Sequence, residues 1–122
     1  GVDSASTDYS YSVEYLQAGS TSHTAYSSEG ATHIIVLNYM SSQSQSWHGG
    51  GFHCWLYRNG GSGGSTMATF TGQGVSYYGA NMIGGTFIGA RNTTIDIDRI
   101  QIRANSGNVA TGRLTVWGLK HT

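Results

Sequence analysis

The chain has 122 residues, the length of one ordinary domain, and we expect residues 1–122 to form a single domain with residues 1–8 as a flexible lead-in. Six basic residues balance six acidic ones, and charged residues make up only 10%, which excludes an electrostatic mode of binding to nucleic acid or to an anionic membrane. A single cysteine excludes an intrachain disulfide, and no apolar run is long enough for membrane insertion.

Apolar and polar residues alternate with a period of two along most of the chain, which is typical of β-strands with one buried face. The alternation is clearest in residues 9–15, where tyrosines and a valine alternate with serines and a glutamate. Residues 31–40 are more continuously apolar, as in a strand buried on both faces. In chain order, the predicted strands cover residues 9–15, 31–40, 51–58, 65–71, 75–78, 82–88, 95–103 and 113–119.

Turn residues separate these strands, and no window shows the apolar spacing of a helix. The glycine-containing segments 72–74 and 84–85 are predicted as turns, and residues 59–65 as a long hairpin loop that contains no aromatic ring. Seven or eight short strands with frequent turns indicate an all-β fold, either an antiparallel sandwich or a barrel.

Four isoleucines near the end of the chain are expected to share one buried face. Ile95 and Ile97 are two positions apart, as are Ile100 and Ile102, but the step between the two pairs is three. A β-bulge at residues 98–99 would restore the common face.

The closing segment, residues 98–120, reads DRIQIRANSGNVATGRLTVWGLK. It combines a strand, an Asn-Ser-Gly turn, small apolar residues, a glycine, an alternating strand and a Trp-Gly-Leu-Lys ending. This order resembles the carboxy-terminal ends of tail-fibre, tailspike and baseplate-associated receptor-binding proteins of tailed bacteriophages. The earlier residues match these proteins only in their richness in Gly, Ser and Tyr.

The resemblance implies a jelly-roll-like β-sandwich of about eight strands, assembled as a homotrimer. It places the domain outside the cell, at the host-facing tip of a virion appendage and downstream of a fibre shaft. The start at Gly1, without methionine, agrees with a carboxy-terminal fragment of a longer fibre-like protein. Trp117 would lie on the outer face of the last strand, covered either by its own chain or by a second subunit.

Five histidines raise the possibility of a metal site, for which His33, His48 and His53 are the candidates. A zinc site needs three or four converging ligands. His53 and Cys54 are consecutive in a predicted strand and therefore point to opposite faces, so both cannot bind one metal. We expect no metal or other cofactor in the monomer, although one histidine per subunit meeting on a trimer axis remains an alternative.

The residues do not favour an enzyme. Asp96 and Asp98 would project from one face of a strand at a spacing near that of an inverting glycosidase, but Arg99 and Arg103 beside them indicate an ion-paired or solvated face. The chain has no Gly-x-Ser-x-Gly nucleophile motif and no phosphate-binding glycine loop. Cys54 is expected to be a buried, inert thiol within a strand.

Ligand binding has better support, because two loops combine aromatic rings with polar partners. Trp47 and His48 end a loop rich in Ser and Gln, and Tyr77, Tyr78 and Asn81 surround a glycine turn. Sugar rings stack their C–H faces on aromatic side chains, and sugar hydroxyls bind amides and imidazoles. Tyr, Ser, Gly and Asn also dominate antibody contact surfaces. These five residues are therefore the predicted ligand-binding set, unless the rings plug the ends of the fold.

The sequence hypothesis is a phage attachment module that binds bacterial surface polysaccharide or another glycan through many weak contacts per virion. The alternative is a structural trimerisation or capping domain without a ligand of its own. A third hypothesis, an enzyme that degrades polysaccharide, rests only on Asp96 and Asp98.

Overall fold

The computed structural model describes residues 7–37, 49–58, 67–93, 100–104 and 112–118. In these ranges the chain is all-β: five antiparallel strands form one sheet and no helix occurs, which confirms the predicted fold class at this level. A helix able to cross a membrane is likewise not found in the described part of the chain. The strands are β1 (Tyr9–Gln17), β2 (His23–Ala31), β3 (Gly51–Arg58), β4 (Ala68–Tyr78) and β5 (Asn81–Arg91).

The strand order across the sheet is β2-β1-β5-β4-β3, so β2 and β3 are the two edge strands. Three pairs of strands that are consecutive in the chain are antiparallel neighbours: β1 with β2, β3 with β4, and β4 with β5. Strand β1 also pairs with β5, and this pairing joins the two halves of the sheet. The β1–β2 turn at residues 18–19, the β4–β5 turn at residues 79–80 and the beginning of β3 lie together at what we call the turn end. Strand β3 ends and β4 begins at the opposite end.

The core lies on one face of the sheet, the inner face, which carries Val13, Ile83 and Phe87. These three side chains are buried, and Phe87 is the largest fully buried residue of the described chain. The ring of Phe52 on β3 meets the Phe87 ring edge to face, with centroids 6.3 Å apart. Such a pair adds about 0.5–1.5 kcal/mol to the burial of the rings, so it ties the edge strand β3 to the core.

Residues 34–37 cross the inner face and cover part of it. A Cβ atom at Gly89 would lie 2.8 Å from the Cδ1 of Ile34, and the side chain of Leu37 occupies the space above Gly74. Glycine at these positions therefore lets the crossing segment approach the sheet closely. The apolar character of residues 34–37 serves this packing.

The prediction of a strand at residues 31–40 is wrong for the described part of that range. Residues 32–37 form no strand, and the strand in this region is β2, which ends at Ala31. Strand β2 contains few apolar residues, but it pairs with β1 along its length, with a register shift near Gly30, whose φ is 64°. Sheet pairing formed this strand where hydrophobic alternation did not predict it.

The predicted turns at residues 72–74 and 84–85 are also wrong, because both segments lie inside strands. Strand β4 runs without interruption from Ala68 to Tyr78 and includes Gly72 and Gly74. Residues 84–85 lie within β5. One prediction elsewhere is confirmed, because β3 has the predicted limits. Strands β3 and β4 pair in antiparallel fashion, while the loop predicted at residues 59–65 lies outside the described residues.

The carboxy-terminal part departs from the predicted strands. Residues 100–104 and 112–118 form no strand. Ile100 and Ile102 are exposed at 45% and 44%, so the prediction that they share a buried face is wrong. Ile95, Ile97 and the predicted bulge at residues 98–99 lie outside the described residues.

Candidate functional site

The β4–β5 turn holds one of the two predicted ligand loops. Strand β4 ends with Tyr77 and Tyr78, and β5 begins with Asn81. Gly79 has a φ of 60°, which allows the tight reversal between them. Tyr77 is half-buried and Asn81 is exposed, while the side chain of Tyr78 lies outside the described part. The turn thus presents at least an amide and part of one ring at the turn end.

Trp47 and His48, the other predicted ligand residues, lie outside the described residues. The chain resumes at Gly49, and a Cβ atom at Gly50 would lie 2.9 Å from the carbonyl oxygen of Val75 and 3.0 Å from the Cβ of Ser76. Gly50 therefore lies against the end of β4 that leads into the β4–β5 turn. Strand β3, which follows Trp47 and His48 in the sequence, therefore begins at the same end as the β4–β5 turn.

The opposite end of the sheet is closed by polar contacts between β1 and β5. Thr93 Oγ1 donates a hydrogen bond of 2.9 Å to Asp8 Oδ2, and Arg91 Nη2 lies 3.5 Å from the same oxygen. Asn92 Nδ2 donates to Ser10 Oγ at 2.7 Å. Because these groups bind one another, this end is held together structurally and is a weaker candidate for ligand binding.

A row of three exposed rings lies on the outer face of the sheet, the face opposite Phe87. His53, Trp55 and Tyr57 alternate along β3 with the inner-face residues. Trp55 is 50% exposed and Tyr57 is 49% exposed, and His53 is exposed as well. We call these three residues the ring row. Large rings left half open to solvent on a sheet face are typical of contact surfaces.

Polar side chains accompany the ring row on the neighbouring strand. The β3–β4 register places each ring directly opposite one polar residue of β4. Directly opposed residues of an antiparallel pair share a face, with Cβ atoms about 5 Å apart. The pairs are His53 with Gln73, Trp55 with Thr71, and Tyr57 with Thr69. The surface can therefore stack an apolar ring face and bind hydroxyl groups beside it.

The sequence alone does not single out the ring row. The alternation of His53, Trp55 and Tyr57 with Phe52, Cys54 and Leu56 places bulky groups on both faces of one strand. Loops more often carry binding residues, so a sequence pattern favours the loops over this strand. The strand order shows that β3 lies at the edge of the described sheet, and its outer-face rings are exposed there.

The structure does not assemble the candidate metal ligands. His33 follows β2 and lies 3.1 Å from Thr32 Oγ1 through its Nδ1, whereas His53 lies on β3, at the other edge of the sheet. His48 is outside the described residues. Among the residues that the structure describes, no three His, Cys, Asp or Glu side chains lie close enough together to hold a metal ion.

Of the candidate catalytic groups, Cys54 is the one that lies among the described residues. The expectation that it is buried is wrong, because the residue is exposed at the edge strand β3. Nearby protein atoms still desolvate the thiol in part, and this raises its pKa above the ordinary value. A raised pKa disfavours the reactive thiolate at neutral pH. Asp96 and Asp98 lie outside the described residues.

Comparison of the chain with family models, with curated proteins and with solved structures returned no match. The surface chemistry of the sheet and the resemblance of the closing segment are therefore the two indications of function.

Proposed function

We propose that the chain is a glycan-binding attachment module, the receptor-binding domain of a phage tail-fibre-like virion protein. The observation that carries the proposal is the ring row, exposed on a sheet face beside Thr69, Thr71 and Gln73. The module binds bacterial surface polysaccharide without catalysing a reaction and without a cofactor. Weak contacts of this kind become strong attachment when several copies act together.

The resemblance of residues 98–120 supplies the biological setting of this proposal. It places the module outside the cell, at the tip of a virion appendage, behind an upstream fibre shaft. The predicted loop residues contribute at the turn end, where Tyr77, Tyr78 and Asn81 lie at the β4–β5 turn. Strand β3, which follows Trp47 and His48 in the sequence, also begins there.

Homotrimeric assembly and a jelly-roll-like sandwich of about eight strands complete the proposal. The five-strand sheet is then one layer of that sandwich. Exposed apolar side chains support assembly, because an isolated chain leaves Leu114, Val116 and Trp117 at 57%, 71% and 83% exposure. Large apolar groups that remain uncovered in one chain are expected to pack against another.

A glycan array probed with the isolated chain tests the proposal. We expect binding to bacterial surface glycans, and Trp55→Ala should weaken that binding by roughly 1–3 kcal/mol, with base–aromatic stacking as the nearest measured analogue. Tyr26→Ala is the matched control, since Tyr26 is an exposed ring (40%) on the inner face of the other edge strand. Trp47→Ala and Tyr78→Ala measure the contribution of the loop residues. Absence of binding to any glycan would refute the proposal.

The second candidate function is a structural trimerisation or capping domain without a ligand. The same exposed apolar residues, Leu114, Val116 and Trp117, favour it. A trimer that binds no glycan on the array would establish this alternative, whereas a trimer that binds glycan through Trp55 would exclude it.

A further inference from the structure

The ring row is a straight series of equally spaced platforms rather than a cluster. His53, Trp55 and Tyr57 are successive outer-face residues of one strand. Strand geometry separates such neighbours by about 7 Å, so the three rings extend over about 13 Å. A row of this kind suits a ligand that repeats along the strand.

The polar partners repeat with the same interval. Gln73, Thr71 and Thr69 lie opposite the three rings in an uninterrupted register, so each ring has one amide or hydroxyl beside it. A ligand unit that stacks on a ring therefore finds a hydrogen-bonding group at the same level. This pairing of an apolar face with a polar edge is the pattern that one sugar unit presents.

Charged residues are lacking from the part of the outer face around the ring row that the structure describes. No Asp, Glu, Lys or Arg occurs on the outer face of β3, β4 or β5 within the described residues. The first charged group on this face is Glu14 on β1, 3.5 Å from the Nε2 of His23. Binding of a polyanion relies on clustered cations, which this surface lacks. The charge balance fits an uncharged ligand.

We infer that the ring row binds a neutral, linear polysaccharide lengthwise along β3, with sugar units of the chain stacked on its rings. The inference rests on the proposed function and specifies its ligand class. The ligand is an internal stretch of an uncharged chain, not a terminal sugar and not an acidic polymer.

The test compares two series of oligosaccharides of increasing length. The neutral series contains glucose, mannose and galactose oligomers of one to six units, and the acidic series contains uronate oligomers of the same lengths. For neutral oligomers we expect affinity to rise at least about tenfold between one and three units, as further units reach further rings, and then to level off. Raising the salt concentration should leave this affinity within about twofold, since screening acts only on charged contacts.

Variants locate the binding on β3. Trp55→Ala should weaken trisaccharide binding at least about tenfold and remove most of the rise in affinity with oligosaccharide length. Trp55→Phe should retain most of that affinity. Tyr26→Ala again serves as the control and should bind like the unmodified chain. Thermal unfolding of each variant shows whether the fold is intact.

Different failures separate the inference from the proposed function. Binding to uronate oligomers that weakens with salt, binding that does not depend on length, or binding unaffected by Trp55→Ala would overturn the inference and leave glycan binding intact. Dissociation of an oligomer by Trp55→Ala would also overturn it, because the ring row would then be a subunit interface. Binding to no glycan of either class would remove the proposed function together with the inference.

Discussion

Phe87 fills the centre of the inner face because its direct partner on β4 is a glycine. A Cβ atom at Gly72 would lie 2.6 Å from the Cζ of Phe87 and 2.9 Å from the Cα of Cys54. Both distances are shorter than carbon atoms tolerate without contact strain. Because Gly72 has no side chain, the Phe87 ring can pack over this position, and β3 can lie close to the core.

Replacing Gly72 with alanine should destabilise the fold by about 1–3 kcal/mol, because the ring or the β3 backbone must shift. Gly84→Ala is the matched control, since a Cβ atom there meets only the carbonyl oxygen of Gly74, at 3.6 Å. It should change the stability by less than about 0.5 kcal/mol, as most uncrowded substitutions do. Urea unfolding measures both variants. Equal costs at the two positions would show that Phe87 does not depend on the space at Gly72.

The β4–β5 turn depends on the backbone of Gly79, whose φ of 60° lies in the left-handed region. Gly79→Ala should lower the free energy of unfolding by about 1–2 kcal/mol, since a Cβ atom is strained in this conformation. Gly79→Asn should cost less, because asparagine tolerates the left-handed region better. Nothing lies within 4 Å of a Cβ atom at this position, so a clash does not complicate the comparison. Similar losses of unfolding free energy in the two variants would contradict the left-handed conformation of residue 79.

At the scale of the strands, hydrophobic alternation predicted β1, β3 and β5 because each of them has a face rich in apolar or aromatic residues. It did not predict β2, whose pairing with β1 depends on backbone hydrogen bonds more than on side chains. The glycines of β4 and β5 resemble turn residues in the sequence, but in the structure they lie inside strands and allow close packing. A Cβ atom at Gly74 or Gly85 would strike Leu37 or the backbone of Glu14, and no local pattern reveals such a contact.

The candidate site was only partly predictable for a similar reason. The residue types of a ligand-binding site could be predicted from the sequence, because aromatic rings beside amides and hydroxyls occur in several segments. The choice between loop and strand depended on which sheet face is covered, and that follows from the strand order. With β3 at the edge and residues 34–37 crossing the other face, His53, Trp55 and Tyr57 remain exposed.

At the scale of the whole molecule, exposed apolar side chains mark two surfaces among the described residues. One is the outer face of the sheet, where Trp55 and Ile88 are exposed at 50% and 58%. The other is the carboxy-terminal segment with Val116 and Trp117, at 71% and 83%. If one surface binds the ligand, the other is available for assembly. The proposed function assigns ligand binding to the sheet face and subunit contact to the carboxy-terminal segment.

This assignment predicts a homotrimer held by the carboxy-terminal segment. Sedimentation equilibrium at micromolar concentration should give about three times the chain mass of 13.0 kDa. Trp117→Ala should shift the equilibrium toward the monomer, because truncating an aromatic anchor at an interface commonly costs about 2 kcal/mol or more. Trp55→Ala should leave the trimer intact, since the sheet face is assigned to ligand. A chain that remains monomeric would refute the trimer, and a trimer lost through Trp55→Ala but not Trp117→Ala would reverse the roles of the two surfaces.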